Sequence, residues 1–305
     1  MIELSNFWLG SPTFAAGYVI PQSTTGFPFG MLGQWLASRP KGDISLSWFE
    51  VAVAATLLAI NAIVSLQLRL GLAKKIVTSS VRMTIQLAIL GLVLKQIFEL
   101  SAAAPVLGLA AVMTIIAGVS AVRRIDHRYP SIYRNAIFSV WTSAWIVTMV
   151  TVLLIVRPEP LYSPQVVIPL LGMVLGNSLT GISLGLDRFL SELRNRRGEV
   201  ETMLTLGATR WESCRSVFAG ATRTAMIPIL NTMSVAGIVS IPGMMTGQLL
   251  AGAPPLQAVQ YQIMIMFVIA AAIALGVVLA LALTYRNVTT SDHQIDWQRI
   301  RRHPS

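Results

Sequence analysis

A serine between two glycines is the pattern in this chain that most directly suggests covalent chemistry. Gly181, Ser183 and Gly185 match G-x-S-x-G, the sharp turn that presents a nucleophilic serine in many hydrolases. Such a serine needs a strand-to-helix turn and a nearby general base, but the pattern lies in a long apolar run that contains no histidine. Glycines four residues apart also allow two membrane helices to approach closely. We therefore predict a helix contact here and no catalytic residue.

Signatures of metal or nucleotide chemistry are absent from the sequence. It contains neither H-E-x-x-H, which binds catalytic zinc, nor G-x-x-x-x-G-K-[ST], the loop that binds nucleotide phosphates. One cysteine, Cys214, excludes a zinc cage built from several Cys ligands, and only three histidines are present. We expect the chain to bind no cofactor and not to be an enzyme. Any ATP-driven activity would use ATP bound by a partner chain.

Amide and hydroxyl side chains interrupt two of the apolar runs. Asn177 shares a helix face with Thr180, and Asn231 shares one with Ser234. An amide in hydrocarbon is costly unless it is paired. Two interpretations are open for both asparagines: hydrogen bonds to neighbouring helices, or the lining of a path for a polar solute.

The run that contains Asn231 also contains a Pro-Gly pair, at 242–243. Proline frees a backbone carbonyl group and glycine permits a break, and such a break at membrane depth survives only beside protein or water. The thioethers of Met244 and Met245 with free carbonyl oxygens could hold a metal ion, or the two side chains could fill irregular core. The candidate path residues, which lie in the break or are amides in the runs, are Asn177, Asn231, Ser240, Pro242, Met244 and Met245.

The elements that must position these residues are membrane helices. The 305 residues are 54% hydrophobic and 12% charged, and the mean hydropathy of +0.67 excludes an ordinary soluble protein. About 20 apolar residues suffice for a helix to cross the hydrocarbon. We predict an all-α polytopic membrane protein with seven transmembrane helices. They are approximately Trp48 to Leu70, Met83 to Phe98, Ala102 to Val122, Ala136 to Val156, Val166 to Leu186, Ala225 to Leu249 and Ala258 to Tyr285.

Basic residues are distributed unevenly between these runs. With the N-terminus outside, 19 of the 23 Lys and Arg fall in cytoplasmic loops or the tail, because only Arg39, Lys41, Lys95 and Arg157 fall elsewhere. Cytoplasmic loops retain Lys and Arg, so we predict an outside N-terminus and a cytoplasmic C-terminus. This topology accounts for the net charge of +10 without nucleic acid as a partner. No Asp or Glu lies in the middle of a run, which counts against a proton-driven carrier.

The domain organisation follows from these runs. Residues 1–47 are rich in Gly, Pro, Ser and Thr and lack the basic region of a signal peptide, so we interpret them as an extracytoplasmic or interfacial extension. Residues 48–286 are predicted to form the transmembrane domain, and residues 287–305 are predicted to form a cytoplasmic tail.

The longest cytoplasmic connection, near residues 187–224, is here called the elbow, and its pattern predicts two short helices. Gly207 suits the position after a helix end, and Thr209 with Glu212 has the spacing of a capping box. An apolar stripe recurs on both sides of this turn, at Val200, Met203, Leu204, Ala208, Trp211, Cys214 and Phe218. We predict a helix, a turn at 207–209 and a second helix that enters the sixth run. The elbow could receive force from a soluble partner, or its helices could lie on the headgroups.

A family resemblance favours the first of these two interpretations. Glu201 and Gly207 have the E-x5-G spacing of the ATPase-facing loop in many ABC-transporter permeases, although the I-x-L-P that often follows in importers is missing. Four further segments follow each other along the chain: I-P-L-L-G-M-V-L-G-N at 168–177, L-T-L-G-A-T at 204–209, S-I-P-G-M-M-T-G at 240–247 and A-V-Q-Y-Q-I-M at 258–264. Together they resemble the FetB-type permeases, which include bacterial iron-export permeases and plant aluminium-tolerance relatives. The resemblance covers roughly residues 48–286.

This resemblance implies the membrane subunit of an ABC transporter in the cell (inner or plasma) membrane. It implies a homodimer that works with a separate cytoplasmic ATPase and exports a metal ion such as iron. Family members carry Asp and Lys in the sixth span where this chain has Asn231 and Ser234, so the substrate stays open. The residues that the resemblance assigns to ATPase contact are Glu199, Glu201, Thr205, Gly207 and Thr209.

Two other functions stay open from the residues alone. A sodium-coupled carrier could bind sodium through carbonyl and hydroxyl oxygens, although the sequence has no clear inverted repeat and no carboxylate in the middle of a span. A non-transporting scaffold or sensor would use its basic loops to dock a partner. Transport driven by a sodium gradient without ATP would identify the first, and a lack of any substrate flux would identify the second.

Overall fold

The computed structural model of the chain describes residues 48–100, 102–290 and 294–302, and the predicted extension at 1–47 lies outside them. These residues are almost entirely helical, which confirms the predicted all-α class. The helices are α1 (Trp48–Gln67), α2 (Ala73–Leu100), α3 (Ala103–Arg123), α4 (Ile132–Val150), α5 (Pro164–Asn195), α6 (Arg197–Thr205), α7 (Arg210–Val235), α8 (Gly243–Leu250) and α9 (Pro255–Val288). A π-helical turn, Thr151–Val156, continues α4. Two short strands, β1 (His127–Arg128) and β2 (Arg301–Arg302), pair antiparallel.

The described chain divides into two compact units within α2, after Met83. The first unit contains α1, the beginning of α2 and the turn between them. In this turn Gly71 has a φ of +70° and the Leu72 N–H donates to Ser65 Oγ at 3.1 Å. The second unit contains the rest of α2 and all later elements, including every predicted site residue.

Among the residues that the structure describes, six helices are long and apolar enough to cross a membrane, namely α1 to α5 and α9, with α4 taken together with its π-helical turn. Two of them extend well beyond the predicted runs, because hydropathy marks the apolar part of a helix and not its end. The helix predicted from Met83 begins at Ala73, and the helix predicted to end at Leu186 continues to Asn195. The polar end of α5 is supported by Glu192, which pairs with Arg188 four residues earlier at 2.8 Å.

The predicted sixth span, Ala225 to Leu249, is wrong as a single helix, whereas the predicted break within it is confirmed. Helix α7 ends at Val235, and α8 begins directly after Pro242. Between them Gly237 adopts a φ of +81° and its N–H donates to Ser240 O at 2.9 Å, so the chain turns instead of continuing the helix. The break therefore starts earlier than the Pro-Gly pair alone predicts.

The segment from α7 to α8 nevertheless runs from one end of the second unit to the other. At one end, Arg210 Nη1 donates to Thr290 O at 2.8 Å, after the end of α9. At the other end, Gln248 of α8 shares a cavity with Val156 and Gln165, which lie between α4 and α5. The two helices and the break between them together span the length of the bundle.

Helix α5 lies in the core between α9 and α7, and the two glycines of the G-x-S-x-G pattern make these contacts. A Cβ at Gly181 would lie 2.6 Å from Ile273 Cγ2 on α9. A Cβ at Gly185 would lie 3.2 Å from Ala225 Cβ on α7 and 3.2 Å from Val277 Cγ1 on α9. The predicted helix contact is therefore confirmed, and Ser183 lies buried within a continuous helix.

Candidate functional site

The elbow contains the end of α5, all of α6 and the first half of α7, with a tight turn between α6 and α7. Gly207 has a φ of +91°, the left-handed region that glycine adopts without steric cost. The Gly207 N–H donates to Leu204 O at 3.1 Å and the Ala208 N–H donates to Met203 O at 3.0 Å. These two bonds close the end of α6 in a Schellman motif. The predicted helix, turn and second helix are confirmed.

A capping box begins α7 directly after this turn. The Glu212 N–H donates to Thr209 Oγ1 at 3.3 Å, and the Thr209 N–H donates to Glu212 Oε2 at 2.7 Å. The Thr209 hydroxyl also donates to Glu212 Oε2 at 2.7 Å. Two N–H groups that a helix start leaves unpaired are thereby satisfied. The turn joins α6 to α7 with hydrogen bonds that fix both helix ends.

The cap makes the stability of the elbow depend on pH. The Thr209 backbone N–H, and then its hydroxyl, lower the pKa of the Glu212 carboxyl by donating to it. Because the pKa is lower in the folded elbow, the stabilisation is present above the ordinary value of 4.5 and is lost as the pH falls through the lowered pKa. We expect Glu212→Gln to raise the rate of hydrogen exchange at the amides of the turn at neutral pH. In acid, the difference in exchange rate between this variant and the wild type should become smaller.

Hydrogen–deuterium exchange mass spectrometry at neutral and acidic pH, corrected for intrinsic exchange, measures this difference. Glu199→Gln is the matched control, because Glu199 is also a carboxylate of the elbow but takes no part in the cap. A difference that persisted in acid would mean that the Glu212 charge does not stabilise the turn.

The five predicted ATPase-contact residues lie on the exposed side of this turn or beside it. Glu201 accepts from Arg197 Nε at 2.8 Å, Glu199 lies 4.0 Å from Arg196 Nη1, and the Thr205 hydroxyl donates to Thr202 O at 2.9 Å. Gly207 and Thr209 form the turn itself. Leu206, which no sequence pattern singled out, lies between Thr205 and Gly207 with 82% of its surface exposed. The signal available in the sequence was an apolar residue that lies outside the predicted apolar stripe.

The other side of the elbow packs against the membrane helices. Val200 and Cys214 of the predicted apolar stripe are buried. Burial also raises the pKa of the Cys214 thiol, so this cysteine is a neutral packing group. The ring of Trp211 packs edge-on against Phe218 at 5.4 Å and against Tyr285 of α9 at 5.7 Å between centroids. These contacts connect the elbow to α9 as well as to α7.

The amides among the path residues make no hydrogen bond to another helix within the described chain. Asn177 donates to Met173 O at 2.8 Å, within its own helix, and Ser234 likewise bonds Leu230 O at 2.8 Å. Asn177 and Asn231 are both exposed. In hydrocarbon their remaining polar atoms would lack partners, so these faces require water or another protein surface.

The break between α7 and α8 is exposed on one side, and α8 lines a cavity on the other. Ile238 and Val239 in the break are 87% and 80% exposed. On the other side, Met244 of α8 lines a cavity of about 220 Å³ together with Met173 and Met264. Asn177, Asn231, Ser240, Pro242 and Met245 are not among the residues that line it.

The ligand types in this cavity suit soft metal ions. Thioether sulfur prefers ions such as Cu(I) over hard cations, and Gln248, whose buried Oε1 has no hydrogen-bond partner within the described chain, adds a potential oxygen ligand. Within the described residues there is no group of three or more His, Cys, Asp or Glu that could hold a metal ion.

Comparison with known proteins places this architecture in a family. Residues 48–289 match the family described as "Uncharacterised protein family (UPF0014)". The chain belongs to UPF0014. The match begins at the first residue of α1 and ends one residue after α9, so it spans all nine helices described above.

Curated UPF0014 relatives come from bacteria and plants. A UPF0014 membrane protein of Synechocystis is 37% identical over 253 residues, which are 83% of this chain and 97% of the relative. The Escherichia coli protein named probable iron export permease protein FetB is 30% identical over 246 residues, 81% of this chain and 93% of the relative. The Arabidopsis thaliana protein ALUMINUM SENSITIVE 3 is 29% identical over 262 residues, 86% and 93% respectively. These relatives confirm the predicted resemblance. No solved structure matches the chain.

In this UPF0014 member the tail after α9 folds back onto the elbow, which the sequence analysis did not anticipate. Ile295 and Ile300 are buried in the main core. Arg194 Nη1 donates to Ile300 O at 3.2 Å, and the Arg197 guanidinium lies 5.2 Å from the centre of the Trp297 ring. Strand β2 pairs with β1, so the tail also contacts the connection between α3 and α4. Ile295, Trp297 and Ile300 among polar residues were the signal available in the sequence.

Proposed function

We propose that this chain is the membrane-spanning permease subunit of an ABC transporter and exports a metal ion such as iron. It acts as a homodimer in the cell membrane and is powered by ATP on a separate cytoplasmic ATPase. The proposed topology has seven spans, with the N-terminus outside and the interrupted α7–α8 segment as the sixth span.

The observation that carries this proposal is the capped turn of the elbow. Gly207 and the Thr209–Glu212 box join an exposed short helix to α7, and α7 continues directly into the predicted membrane region. An ATPase that moves α6 would therefore move α7 and, through the aromatic contacts of Trp211, also α9. Glu199, Glu201, Thr205, Gly207 and Thr209 are proposed as the ATPase-coupling residues.

The positions of the basic segments support the proposed topology. The connection between α3 and α4, the elbow and the tail meet at the same end of the second unit. In the connection between α3 and α4, the Tyr129 hydroxyl shares a hydrogen bond of 3.0 Å with the Thr284 hydroxyl near the end of α9. In the elbow, Arg210 Nη1 donates to Thr290 O at 2.8 Å. A topology that placed these three segments on opposite sides would be incompatible with these contacts.

The break between α7 and α8 supports a transport path at a homodimer contact. Asn231 and Ser234 lie on an exposed stretch that leads into the apolar break residues. A second copy of the chain would cover the apolar side chains and would leave the amides beside an aqueous gap. We propose that Asn177, Asn231, Ser240, Pro242, Met244 and Met245 line or shape this path.

Two observations support a metal ion as the substrate. A relative 30% identical to this chain is named as a probable iron export permease, and another is named for aluminium sensitivity. In this chain, thioether and amide groups rather than carboxylates stand near the break. Thioether sulfur favours a soft metal ion over a hard cation such as Mg²⁺ or Ca²⁺.

Reconstitution in vesicles with the ATPase that co-purifies with the chain tests this function. We expect ATP to drive ferrous iron across the membrane, from the side that carries the ATPase to the opposite side. A metal-sensitive dye on the opposite side measures this flux. Asn231→Ala is expected to lower this flux by about tenfold, because a polar ligand in the path is lost. Asn195→Ala, at the end of α5 and outside the proposed path, is the matched control.

Full iron flux without any ATPase would contradict the ABC mechanism, and flux driven by a sodium gradient alone would replace it with a carrier. ATP-dependent flux of another solute with no iron flux would retain the permease and reject the metal substrate. Unchanged flux in Asn231→Ala would place the path elsewhere.

A further inference from the structure

A charged cavity lies at the base of the elbow, between the end of α5 and the middle of α7. Its volume is about 250 Å³. Arg188, Glu192 and Arg196 line it from the α5 side, and Arg223 lines it from α7. Three guanidinium groups and one carboxylate give this lining a formal charge of plus two. None of the proposed coupling or path residues belongs to it.

Glu192 arranges two of these guanidinium groups without neutralising the cavity. Its Oε1 accepts from Arg188 Nη2 at 2.8 Å and its Oε2 accepts from Arg196 Nε at 2.8 Å. Arg196 also lies 4.0 Å from Glu199, at the limit of an ion pair. Because a guanidinium carries five N–H donors, both arginines keep donors for a further acceptor. Arg223 has no hydrogen bond or ion pair to any residue that the structure describes.

The α7 wall of the cavity leaves room for a ligand. Ser216, Gly220, Arg223 and Ile227 follow each other at intervals of three or four residues, so they share one face of α7. No atom lies within 4 Å of the position that a Cβ on Gly220 would take. The space beside the arginines is therefore not filled by side chains of neighbouring elements.

The cavity also lies at the depth of lipid headgroups in the proposed topology. Arg223 precedes Ala225, the predicted start of the sixth span, by two residues, or about 3 Å along a helix. Ile227 continues the same face into the apolar region. Arginine forks match phosphate oxygens in pairs, and basic pockets between helices on the cytoplasmic side bind the headgroups of anionic lipids.

We propose that this cavity binds a phosphate group, carried by an anionic lipid headgroup or present as free phosphate. Glu192 holds Arg188 and Arg196 on one side of the phosphate, and Arg223 binds it from the other. The bound phosphate bridges α5 to α7 next to the hinge of the elbow. The proposal uses the membrane boundary of the proposed topology but neither the ATPase nor the metal substrate, so it can fail while the proposed function holds.

Native mass spectrometry of the full-length protein released from vesicles of equal phosphatidylglycerol and phosphatidylcholine tests this site. The wild type is expected to retain phosphatidylglycerol preferentially. The double variant Arg188→Gln with Arg223→Gln is expected to lower this retention by about thirtyfold, because each arginine near a phosphate adds roughly one kcal/mol of binding energy. Arg215→Gln is the matched control, since Arg215 is exposed on the same helix and does not line the cavity.

Two further variants separate ligand binding from folding. Gly220→Leu fills the cavity while every charge remains, and it should also abolish the preference for phosphatidylglycerol. Arg188→Lys with Arg223→Lys keeps the charge and should retain more lipid than the glutamine pair. These variants keep the test decisive even if the double glutamine variant fails to fold.

Inorganic phosphate, added to the lipid-free protein and measured by calorimetry, distinguishes the two sources. Lipid retention that depends on the arginines identifies the headgroup, and arginine-dependent binding of inorganic phosphate alone identifies free phosphate. Both outcomes support the site. Equal retention of the two lipids with no phosphate binding, or a loss as large in Arg215→Gln as in the double variant, would overturn it.

Discussion

Replacing Gly207 by valine is expected to uncouple ATP hydrolysis by the partner from metal export. Gly207 closes α6 at a φ of +91°, where a β-branched side chain is strained. Forcing valine into this region costs about 1–3 kcal/mol, and about 1.4 kcal/mol changes a population tenfold. This strain would lower the population of the intact turn relative to other conformations of the elbow. We expect about a tenfold fall in metal ions exported per ATP hydrolysed, measured in vesicles with the ATPase present.

The control for this variant is Gly198→Val, near the start of α6, the helix whose end Gly207 closes. A Cβ at Gly198 would meet no atom within 4 Å, and Gly198 does not have a positive φ. The control therefore adds a valine side chain to α6 without strain in the backbone. Coupling should stay close to that of the wild type in this control. Normal coupling in Gly207→Val as well would show that the geometry of the turn is not needed to transmit force.

Replacing Gly181 by alanine is expected to destabilise the helix bundle by about 2 kcal/mol, the usual cost of overpacking a core. The added Cβ would lie 2.6 Å from Ile273 Cγ2, and Val277 Cγ2 is only 3.5 Å away. Both neighbours are β-branched residues in the middle of α9, so neither side chain can easily move aside. Helices α5 and α9 would have to separate. Thermal unfolding in detergent should show a fall of roughly 5 °C in Tm.

Two matched variants test the cause of this loss. Gly176→Ala lies on the same helix, where a Cβ has nothing within 4 Å, and it should be at least as stable as the wild type because alanine favours helix. Ser183→Ala should retain transport, since Ser183 lies buried within a continuous helix and not on the strand-to-helix turn that a nucleophilic serine needs. A loss of transport in Ser183→Ala without a loss of stability would reopen the catalytic interpretation.

Local chemistry made the elbow predictable from the sequence. A glycine after a helix end and a threonine three residues before a glutamate determine backbone conformation within a few residues, whatever surrounds them. The contacts of Gly181 and Gly185 were predictable as a helix contact for a similar reason, because their spacing places them on one helix face. Their partners on α7 and α9 were not, since the choice of neighbour depends on the whole bundle.

Features that depend on distant residues were not predictable in this way. The break between α7 and α8 begins at Ala236, where only Gly237 departs from a helical pattern, so the Pro-Gly pair marked the start of α8 but not the end of α7. The arginines of the phosphate cavity are 35 residues apart in the sequence at their extremes, Arg188 and Arg223. Nothing in the sequence near either arginine predicts that α5 and α7 bring them to one cavity.

The packing of the tail also determines when during synthesis the elbow becomes fixed. Ile295 and Ile300 are buried in the main core, and Trp297 and Ile300 contact Arg197 and Arg194 of the elbow, yet these tail residues leave the ribosome after all nine described helices. A nascent chain that has completed α9 therefore carries an elbow without the contacts of the tail. The elbow acquires its final support only once translation has passed the tail, so a chain interrupted before Ile295 would present a looser surface to any ATPase that reached it early.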